Sequence, residues 1–293
     1  MLVLPMHLLA RAVRAALQED IGAGDLTCEA VVPADQRGRA IITAGEPLVA
    51  AGLEAARYAF AWLDPGATFN RAAAAGSKVG PGEVLLEITG GSASLLTAER
   101  TALNFLGRLS GVATLTRRCV EAVAGTSAAV YDTRKTTPGL RLLERQAVAL
   151  GGGVNHRAGL FDAVLIKDNH IAAAGGIAAA VRAAVTRYNG RMAIEVEVET
   201  LDQLREALEG GAAIVLLDNM TIDLVAESVA LARSRPGRAI QIEVSGGITP
   251  DNIREYALTG VDRISLGCLT HSAPAADVSM SFVPLTRPGA RGA

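Results

Sequence analysis

VLIKDNH, residues 164–170, joins an apolar run directly to a lysine, an aspartate, an asparagine and a histidine. IEVEVET, residues 194–200, places glutamates inside a run of the same kind. A charge embedded in an apolar strand destabilises the fold unless a partner or a ligand compensates it. Both stretches therefore predict buried strands that deliver charge to a shared site. The alternative, that strands simply stop where polar residues begin, predicts mixed Ser, Gly, Asn and Pro instead of single embedded charges.

The same pattern repeats along the second half of the chain. Short apolar runs lie at 128–131, 163–166, 192–196, 214–217, 240–244 and 264–266. Helical patterns such as LDQLREALEGG and TIDLVAESVALARS separate the later runs. Such β-α alternation predicts a parallel sheet, and six or seven buried units predict a closed or nearly closed barrel.

Polar, charged or glycine residues follow every one of these runs. They are Asp132, Arg134 and Lys135; Lys167, Asp168, Asn169 and His170; Glu197 and Glu199; Asp218 and Asn219; Ser245, Gly246 and Gly247; and Gly267. The carboxyl ends of parallel barrel strands meet at one face, where active sites assemble from the following loops. The sequence therefore predicts that these residues line one site.

The predicted site residues divide into cations and carboxylates. The cations Arg134, Lys135, His156, Arg157 and Lys167 predict a pocket for anions, in which arginine suits a planar carboxylate. The carboxylates Glu197 and Asp218 suit a divalent cation or sugar hydroxyls. Two structural alternatives remain open: Arg157 and Lys167 could be salt-bridged cations of the fold, and His156 could cap a helix.

EVSGGITPDNI, residues 243–253, predicts a phosphate site. Gly246 and Gly247 would let the backbone approach an anion, with Thr249 as the N-cap of a helix and Pro250 in its first turn. Gly267, after the next strand, would complete the phosphate cradle.

The first 110 residues have a different organisation. GRAIITAGEPLVAAG, residues 38–52, and AGSKVGPGEVLLEITG, residues 75–90, predict strands separated by glycine and proline turns. The second stretch is similar to the hairpin of biotinyl and lipoyl carrier modules, but the lysine expected at an exposed hairpin tip is missing. A carrier module is therefore the non-enzyme alternative.

Composition narrows the classes of partner. The chain of 293 residues is 50% hydrophobic and 3% aromatic, as expected for a core of Ala, Val, Leu and Ile. Its 28 Lys and Arg against 30 Asp and Glu give a formal charge of -2, which argues against nucleic acid and anionic membranes as partners. Three dispersed cysteines and an apolar start interrupted by Pro5 and His7 predict a cytoplasmic protein without a membrane span.

Nine stretches, in order, closely resemble the quinolinate phosphoribosyltransferase family, the decarboxylating nicotinate-nucleotide pyrophosphorylases of de novo NAD synthesis. They are EDIGAGDLT (19–27), AERTALNFLGRLSGVAT (98–114), DTRKTTPGLR (132–141), GGGVNHRAGL (151–160), LIKDNHI (165–171), EVEVET (195–200), LLDNM (216–220), SGGI (245–248) and LGCLTHS (266–272). The resemblance implies an α/β fold of type II: an N-terminal α/β sandwich, residues 1–110 joined by the tail 275–293, and an incomplete TIM-like barrel, residues 111–274. It also implies homodimers or hexamers with shared active sites.

The resemblance implies an activity as well. Phosphoribosyl passes from phosphoribosyl pyrophosphate to quinolinate with magnesium, and nicotinate mononucleotide, pyrophosphate and CO2 are released. Arg134, His156 and Arg157 would hold the two carboxylates of quinolinate, with Arg100 reaching in from the partner subunit. Thr133 would contribute a hydrogen bond beside them.

The remaining roles implied by the resemblance belong to phosphoribosyl pyrophosphate and to catalysis. Lys135 and Lys167 would face quinolinate and the pyrophosphate, while Glu197 and Asp218 would hold the ribose hydroxyls and magnesium; these four are the expected catalytic residues. The 5'-phosphate would bind to Ser245, Gly246, Gly247 and Gly267.

Two related enzymatic alternatives accompany this assignment. One is a paralogue associated with molybdenum transport, and the other is a non-decarboxylating nicotinate phosphoribosyltransferase. Arg100, Arg134, His156 and Arg157 together favour a dicarboxylate over the single carboxylate of nicotinate.

Overall fold

A computed structural model describes residues 5–188, 190–235 and 239–285. The first four residues of the apolar start and residues 286–293 of the tail lie outside this description. The chain divides into two compact units. The first comprises residues 1–115, 137–152 and 273–293, and the second comprises residues 116–136 and 153–272.

Twelve strands and eleven helices occur in the described residues. The strands are β1 (Arg37–Ala44), β2 (Leu48–Val49), β3 (Thr68–Ala72), β4 (Lys78–Val79), β5 (Val84–Gly91), β6 (Ala129–Tyr131), β7 (Val164–Ile166), β8 (Ile194–Val198), β9 (Ile214–Asp218), β10 (Gln241–Ser245), β11 (Arg263–Ser265) and β12 (Val278–Pro284). The helices are α1 (Met6–Ile21), α2 (Leu26–Val31), α3 (Leu53–Leu63), α4 (Ser92–Ala122), α5 (Arg141–Leu150), α6 (Asp168–Ala174), α7 (Ile177–Tyr188), α8 (Leu201–Gly210), α9 (Ile222–Arg233), α10 (Ile253–Leu258) and α11 (Cys268–His271).

The first unit contains an antiparallel sheet in the order β12-β1-β5-β3. Along β1 the exposed fraction alternates between successive side chains, so one face packs into the core and the other faces outward. Ala40 of β1 is opposite Phe282 of β12 and Ile88 of β5. The last described strand of the chain therefore completes a sheet that begins near residue 37.

The predicted turn at residues 80–82 is present, but it does not join a β-hairpin. β4 pairs with β2, whereas β5 pairs with β1 and β3, so the two strands that flank the turn belong to different sheets. Pairing with partners distant in sequence separates the two strands, although the turn between them forms. The resemblance of this segment to a carrier hairpin therefore does not extend to its strand pairing.

Helix α4 lies close to the segment that leads into β12. The amide of Ala276 donates a hydrogen bond to the carbonyl of Gly107 at 2.9 Å. One turn further along, a Cβ added at Gly111 would lie 1.9 Å from the carbonyl oxygen of Pro274. Glycine at these two positions therefore permits the backbones to meet, and the close approach explains two glycines inside a helix.

The second unit contains the predicted parallel sheet, in the order β6-β11-β10-β9-β8-β7. Every pair in it is parallel, and β6 and β7 are its two ends, so the barrel is incomplete. Val154 makes a parallel bridge to Tyr131 on the side of β6 that no strand covers. The prediction of an α/β fold with an incomplete barrel is confirmed.

Threonine side chains cap the helices that follow β8 and β9. Thr200 and Thr221 accept hydrogen bonds from the amides of Gln203 and Leu224 and so cap α8 and α9. Gly211, whose φ is 92°, caps the C-terminus of α8. No helix among residues 5–188, 190–235 and 239–285 is long and apolar enough to cross a membrane.

We predict that Gly111→Ala destabilises the protein by about 1–3 kcal/mol, because the new methyl group would displace the backbone at Pro274. Helix propensity alone would favour alanine at this position, so a loss of stability isolates the steric effect. Chemical denaturation measures the change. Gly91→Ala is the control, since its Cβ would meet nothing closer than 3.7 Å; equal stability of the Gly111 variant and the wild type would contradict the prediction.

Candidate active site

A cavity of about 720 Å³ lies at the carboxyl ends of the barrel strands, entirely within the second unit. Asn219 lines it, but five other strand-end residues predicted for the site do not: Asp132, Asp168, Asn169, His170 and Glu199. The lining includes twelve of the thirteen residues to which the family resemblance gives a role. They are Thr133, Arg134, Lys135, His156, Arg157, Lys167, Glu197, Asp218, Ser245, Gly246, Gly247 and Gly267. Arg100 is the exception: it is exposed on α4 in the first unit and does not line this cavity.

Strand alternation builds the cavity wall in two layers. Successive side chains of a strand point to opposite faces, so residues two apart face the same way. The outer layer consists of Lys167, Glu197, Asp218, Ser245 and Gly267, and the inner layer contributes Leu165, Leu216, Glu243 and Ser265. Asp218 and Ser245 are direct partners across β9 and β10, so their side chains emerge side by side.

The cationic side of the cavity comes from two loops. Thr133, Arg134 and Lys135 follow β6, whereas His156 and Arg157 lie in the segment that precedes β7. The backbone at Lys135 is held by the hydroxyl of Thr270, which donates to its carbonyl at 2.6 Å. Burial, and then the nearby charge of Arg134, lower the pKa of Arg157. Two guanidinium groups therefore share one region, which an anion with two negative groups would neutralise.

Two carboxylates line the cavity from β8 and β9. Glu197 forms an ion pair with Lys167, and Asp218 accepts a hydrogen bond from the Asn219 side chain at 2.7 Å. Asn219 has a φ of 53°, the only positive value of a residue other than glycine among the described residues. A left-handed backbone conformation is strained for a residue other than glycine, and such conformations are concentrated at functional sites. The sequence predicts that Asn219 lies at a strand end, but it does not indicate this conformation.

Glycine backbone forms the third part of the cavity. Gly246 and Gly247 have φ values of 92° and 64°. A Cβ at Gly246 would lie 2.3 Å from Oδ1 of Asn219, whereas one at Gly247 would meet nothing within 4 Å. The backbone at Gly247 is therefore open to a ligand. At Gly267, a Cβ would lie 2.9 Å from Nε2 of His271, a cavity residue that sequence reasoning missed.

The predicted helix start at Thr249 is wrong. Helix α10 begins at Ile253 and has six residues, and the Thr249 amide donates to Oδ1 of Asn252 at 2.8 Å. This amide is therefore occupied within the protein. Any phosphate held here would contact the glycine turn instead of a helix terminus.

Two buried glutamates beneath the cavity were missed as site residues. Nε2 of His156 lies 3.3 Å from an oxygen of Glu195 and 3.3 Å from an oxygen of Glu243, and both carboxylates are at most 4% exposed. NH1 of Arg263 lies 3.9 Å from the other oxygen of Glu243. These contacts place His156 in a strand-to-loop bridge and exclude its predicted alternative role as a helix cap. The available signal was the spacing: Glu195 precedes Glu197 by two residues, and Glu243 precedes Ser245 by two.

The electrostatics of this buried group follow from its charges. Burial raises the pKa of Glu195. Burial alone would lower the pKa of His156, but hydrogen bonding to Glu195 and then to Glu243 outweighs it and raises that pKa to about 10. The three side chains offer donor atoms within 4.8 Å of one another, an arrangement that could also hold a metal ion. His156 instead provides a donor through Nε2, and Arg263 provides positive charge, for the carboxylates from within the chain.

Two family models match the chain. The N-terminal domain of quinolinate phosphoribosyl transferase matches residues 25–110, and its C-terminal domain matches residues 112–281. The cavity residues of the second unit all lie within the second match.

Named relatives extend over almost the whole chain. A Bacillus subtilis (strain 168) protein named "Probable nicotinate-nucleotide pyrophosphorylase [carboxylating]" is 43% identical over 262 residues, which are 89% of each protein. Nicotiana tabacum quinolinate phosphoribosyltransferase [decarboxylating] 1b is 38% identical over 95% of this chain and 83% of its own length. The solved structure of the nicotinate-nucleotide pyrophosphorylase from Francisella tularensis matches with a TM-score of 0.90 and 39% identity, covering 96% of this chain and 98% of that one.

Proposed function

The chain belongs to the quinolinate phosphoribosyltransferase family, and from that premise we propose how its barrel cavity performs the family reaction. The protein is a phosphoribosyltransferase of NAD biosynthesis: it transfers phosphoribosyl from phosphoribosyl pyrophosphate to quinolinate with decarboxylation, giving nicotinate mononucleotide, pyrophosphate and CO2. The observation that carries the residue assignment is the meeting of guanidinium groups, carboxylates and glycine backbone in one cavity.

The cationic side binds quinolinate. Arg134 and Arg157 grip its two adjacent carboxylates, because a guanidinium donates two parallel hydrogen bonds to a planar carboxylate. Thr133 supplies a hydroxyl at the same wall. Lys135 and Lys167 add positive charge between quinolinate and the pyrophosphate. The lowered pKa of Arg157 supports this assignment, since a dianion would relieve the repulsion between the guanidinium groups.

The carboxylate and glycine sides bind phosphoribosyl pyrophosphate. Ser245, Gly246, Gly247 and Gly267 receive the 5'-phosphate, which Gly247 leaves room for. Glu197 and Asp218 hold the ribose hydroxyls and Mg²⁺, as their oxygen donors fit an ion that takes one or two carboxylates together with substrate phosphates. When bound, Mg²⁺ neutralises charge on the departing pyrophosphate.

The chain's own residues then guide two bond changes. As the bond from C1' of the ribose to pyrophosphate breaks, Glu197 and Asp218 stabilise the positive charge that develops on the sugar. The quinolinate nitrogen, oriented through its carboxylates by Arg134 and Arg157, takes the bond to C1'. The ring nitrogen becomes cationic, and its charge stabilises the electron pair that stays on C2 when CO2 departs; a proton then bonds to that carbon in place of CO2. This stabilising charge belongs to the substrate, so no further organic cofactor is required.

The protein forms an oligomer with shared active sites in the cytoplasm. Arg100 lies exposed on α4 and outside the cavity of its own chain, so we assign it to the cavity of a second copy in a homodimer or hexamer. The three cysteines are free thiols, which suits a reducing cytoplasm.

The release of CO2 tests the activity. We expect the purified protein, mixed with carboxyl-labelled quinolinate, phosphoribosyl pyrophosphate and Mg²⁺, to release one CO2 for each nicotinate mononucleotide formed. Nicotinate should not replace quinolinate. Product formation from nicotinate without CO2 release would reject the decarboxylating reaction and favour the nicotinate alternative.

Arg134→Ala is expected to weaken quinolinate binding by about 1.5–3 kcal/mol, because a charge-assisted hydrogen-bond pair is lost. Equilibrium binding and the KM for quinolinate measure the effect. Arg205→Ala is the matched control, since Arg205 forms an exposed pair with Asp202 on α8. Unchanged affinity for quinolinate in the Arg134 variant would remove this residue from the proposed pocket.

Subunit mixing tests the role of Arg100. Arg100→Ala and Lys167→Ala proteins should each be nearly inactive, and co-refolded mixtures should recover on the order of a quarter of wild-type activity, since half of random dimers contain one intact site. Activity is measured as CO2 release after separating the oligomer by size. If mixed dimers form and remain inactive, Arg100 does not serve a shared site.

A further inference from the structure

Three polar contacts fix the backbone that carries Arg157. The carboxylate of Asp132, fully buried, accepts hydrogen bonds from the His156 amide at 2.6 Å and from the Asn155 side chain at 2.8 Å. The Arg157 amide donates to Nδ1 of His156 at 2.7 Å. The segment 155–157 is therefore hydrogen-bonded to Asp132, which follows β6, and its backbone at Arg157 is hydrogen-bonded to the imidazole of His156.

The ring of His156 is engaged through both of its nitrogens. Nδ1 accepts the Arg157 amide, while Nε2 lies between Glu195 and Glu243. A proton on Nδ1 would place two N–H groups against each other, so this geometry requires the tautomer protonated on Nε2. The two carboxylates raise the pKa of His156 to about 10 and so favour a second ring proton, but that proton would lie on Nδ1 and face the Arg157 amide. The contact with the amide keeps Nδ1 unprotonated. No ring nitrogen then remains for a substrate carboxylate.

We propose that Asp132 and Glu243 are positioning residues of the quinolinate site, which act through His156 to set the place of the Arg157 guanidinium in the cavity. His156 is the link between them and does not itself bind the substrate carboxylate. This inference rests on the proposed function and deepens it by naming the residues that fix the position of Arg157 in the dicarboxylate pocket.

The chemistry of each link explains why an acid is required. Both oxygens of Asp132 accept from N–H groups of the same segment, so an amide nitrogen at either position would face a donor. Glu243 is 0% exposed and presents an oxygen to Nε2–H. An amide NH2 turned toward the ring would favour the other tautomer and set Nδ1–H against the Arg157 amide. Either change displaces residues 155–157 without removing Arg157 itself.

The test compares Asp132→Asn and Glu243→Gln with the wild-type protein in steady-state kinetics. We expect the KM for quinolinate to rise about tenfold or more, because one or two well-placed hydrogen bonds are lost. The KM for phosphoribosyl pyrophosphate should stay within about threefold of the wild-type value. Asp262→Asn is the matched control: it removes a barrel carboxylate that binds Arg233 and the Ile242 amide away from the cavity, and it should lower stability without this split in KM. Unchanged constants, or equal rises in both KM values, would overturn the proposal.

A second measurement uses the wild-type protein and remains decisive if the variants fail to fold. Nitrogen-15 NMR of labelled histidine, with the His156 signal identified by elimination from variants of the exposed His7, His170 and His271, should show an unprotonated Nδ1 that is unchanged on adding quinolinate. Protonation of Nδ1, or a change of tautomer on adding quinolinate, would show direct binding and reject the linking role. A wild-type protein that fails to release CO2 from quinolinate would instead reject the proposed function.

Discussion

The interior of the barrel is organised around two carboxylates that are almost fully buried. Glu195 and Glu243 lie on strands separated by one neighbour, and their negative charge is costly in a medium of low dielectric constant unless positive charge and hydrogen bonds accompany it. His156 enters between them and Arg263 approaches from the side. The loop that carries His156 is thereby drawn down to the sheet. The neighbouring Arg157 then has a defined starting point for its reach into the cavity.

Side chains two residues apart on a β-strand point to the same face, so the buried glutamates lie directly below residues that line the cavity. Strands β7, β9, β10 and β11 each supply one residue to the inner layer and another, two positions later, to the outer layer. On β8, Glu195 contacts the imidazole of His156, whereas Glu197 lines the cavity. One short repeat of acids thus supplies a carboxylate that contacts the protein interior and a carboxylate that faces the cavity.

The sequence was sufficient for the parallel strands and for most of the cavity residues, because both depend on short apolar runs with charges at their ends. It was insufficient where partners are distant. The separation of β4 from β5 depends on strands β2, β1 and β3, and the use of the Thr249 amide depends on the rotamer of Asn252. Glu195 and Glu243 were visible as charges in apolar runs, but only the path of the loop before β7 shows that they meet one imidazole.

The place of β12 in the first sheet also has a consequence for biosynthesis. β1 is made early, yet one of its two neighbours is residues 278–284, near the opposite end of the chain. While the ribosome is still translating the barrel, β1 therefore retains an open edge of unpaired amides and carbonyls. The nascent protein must keep this edge from strands of other chains until residues 278–284 have been translated.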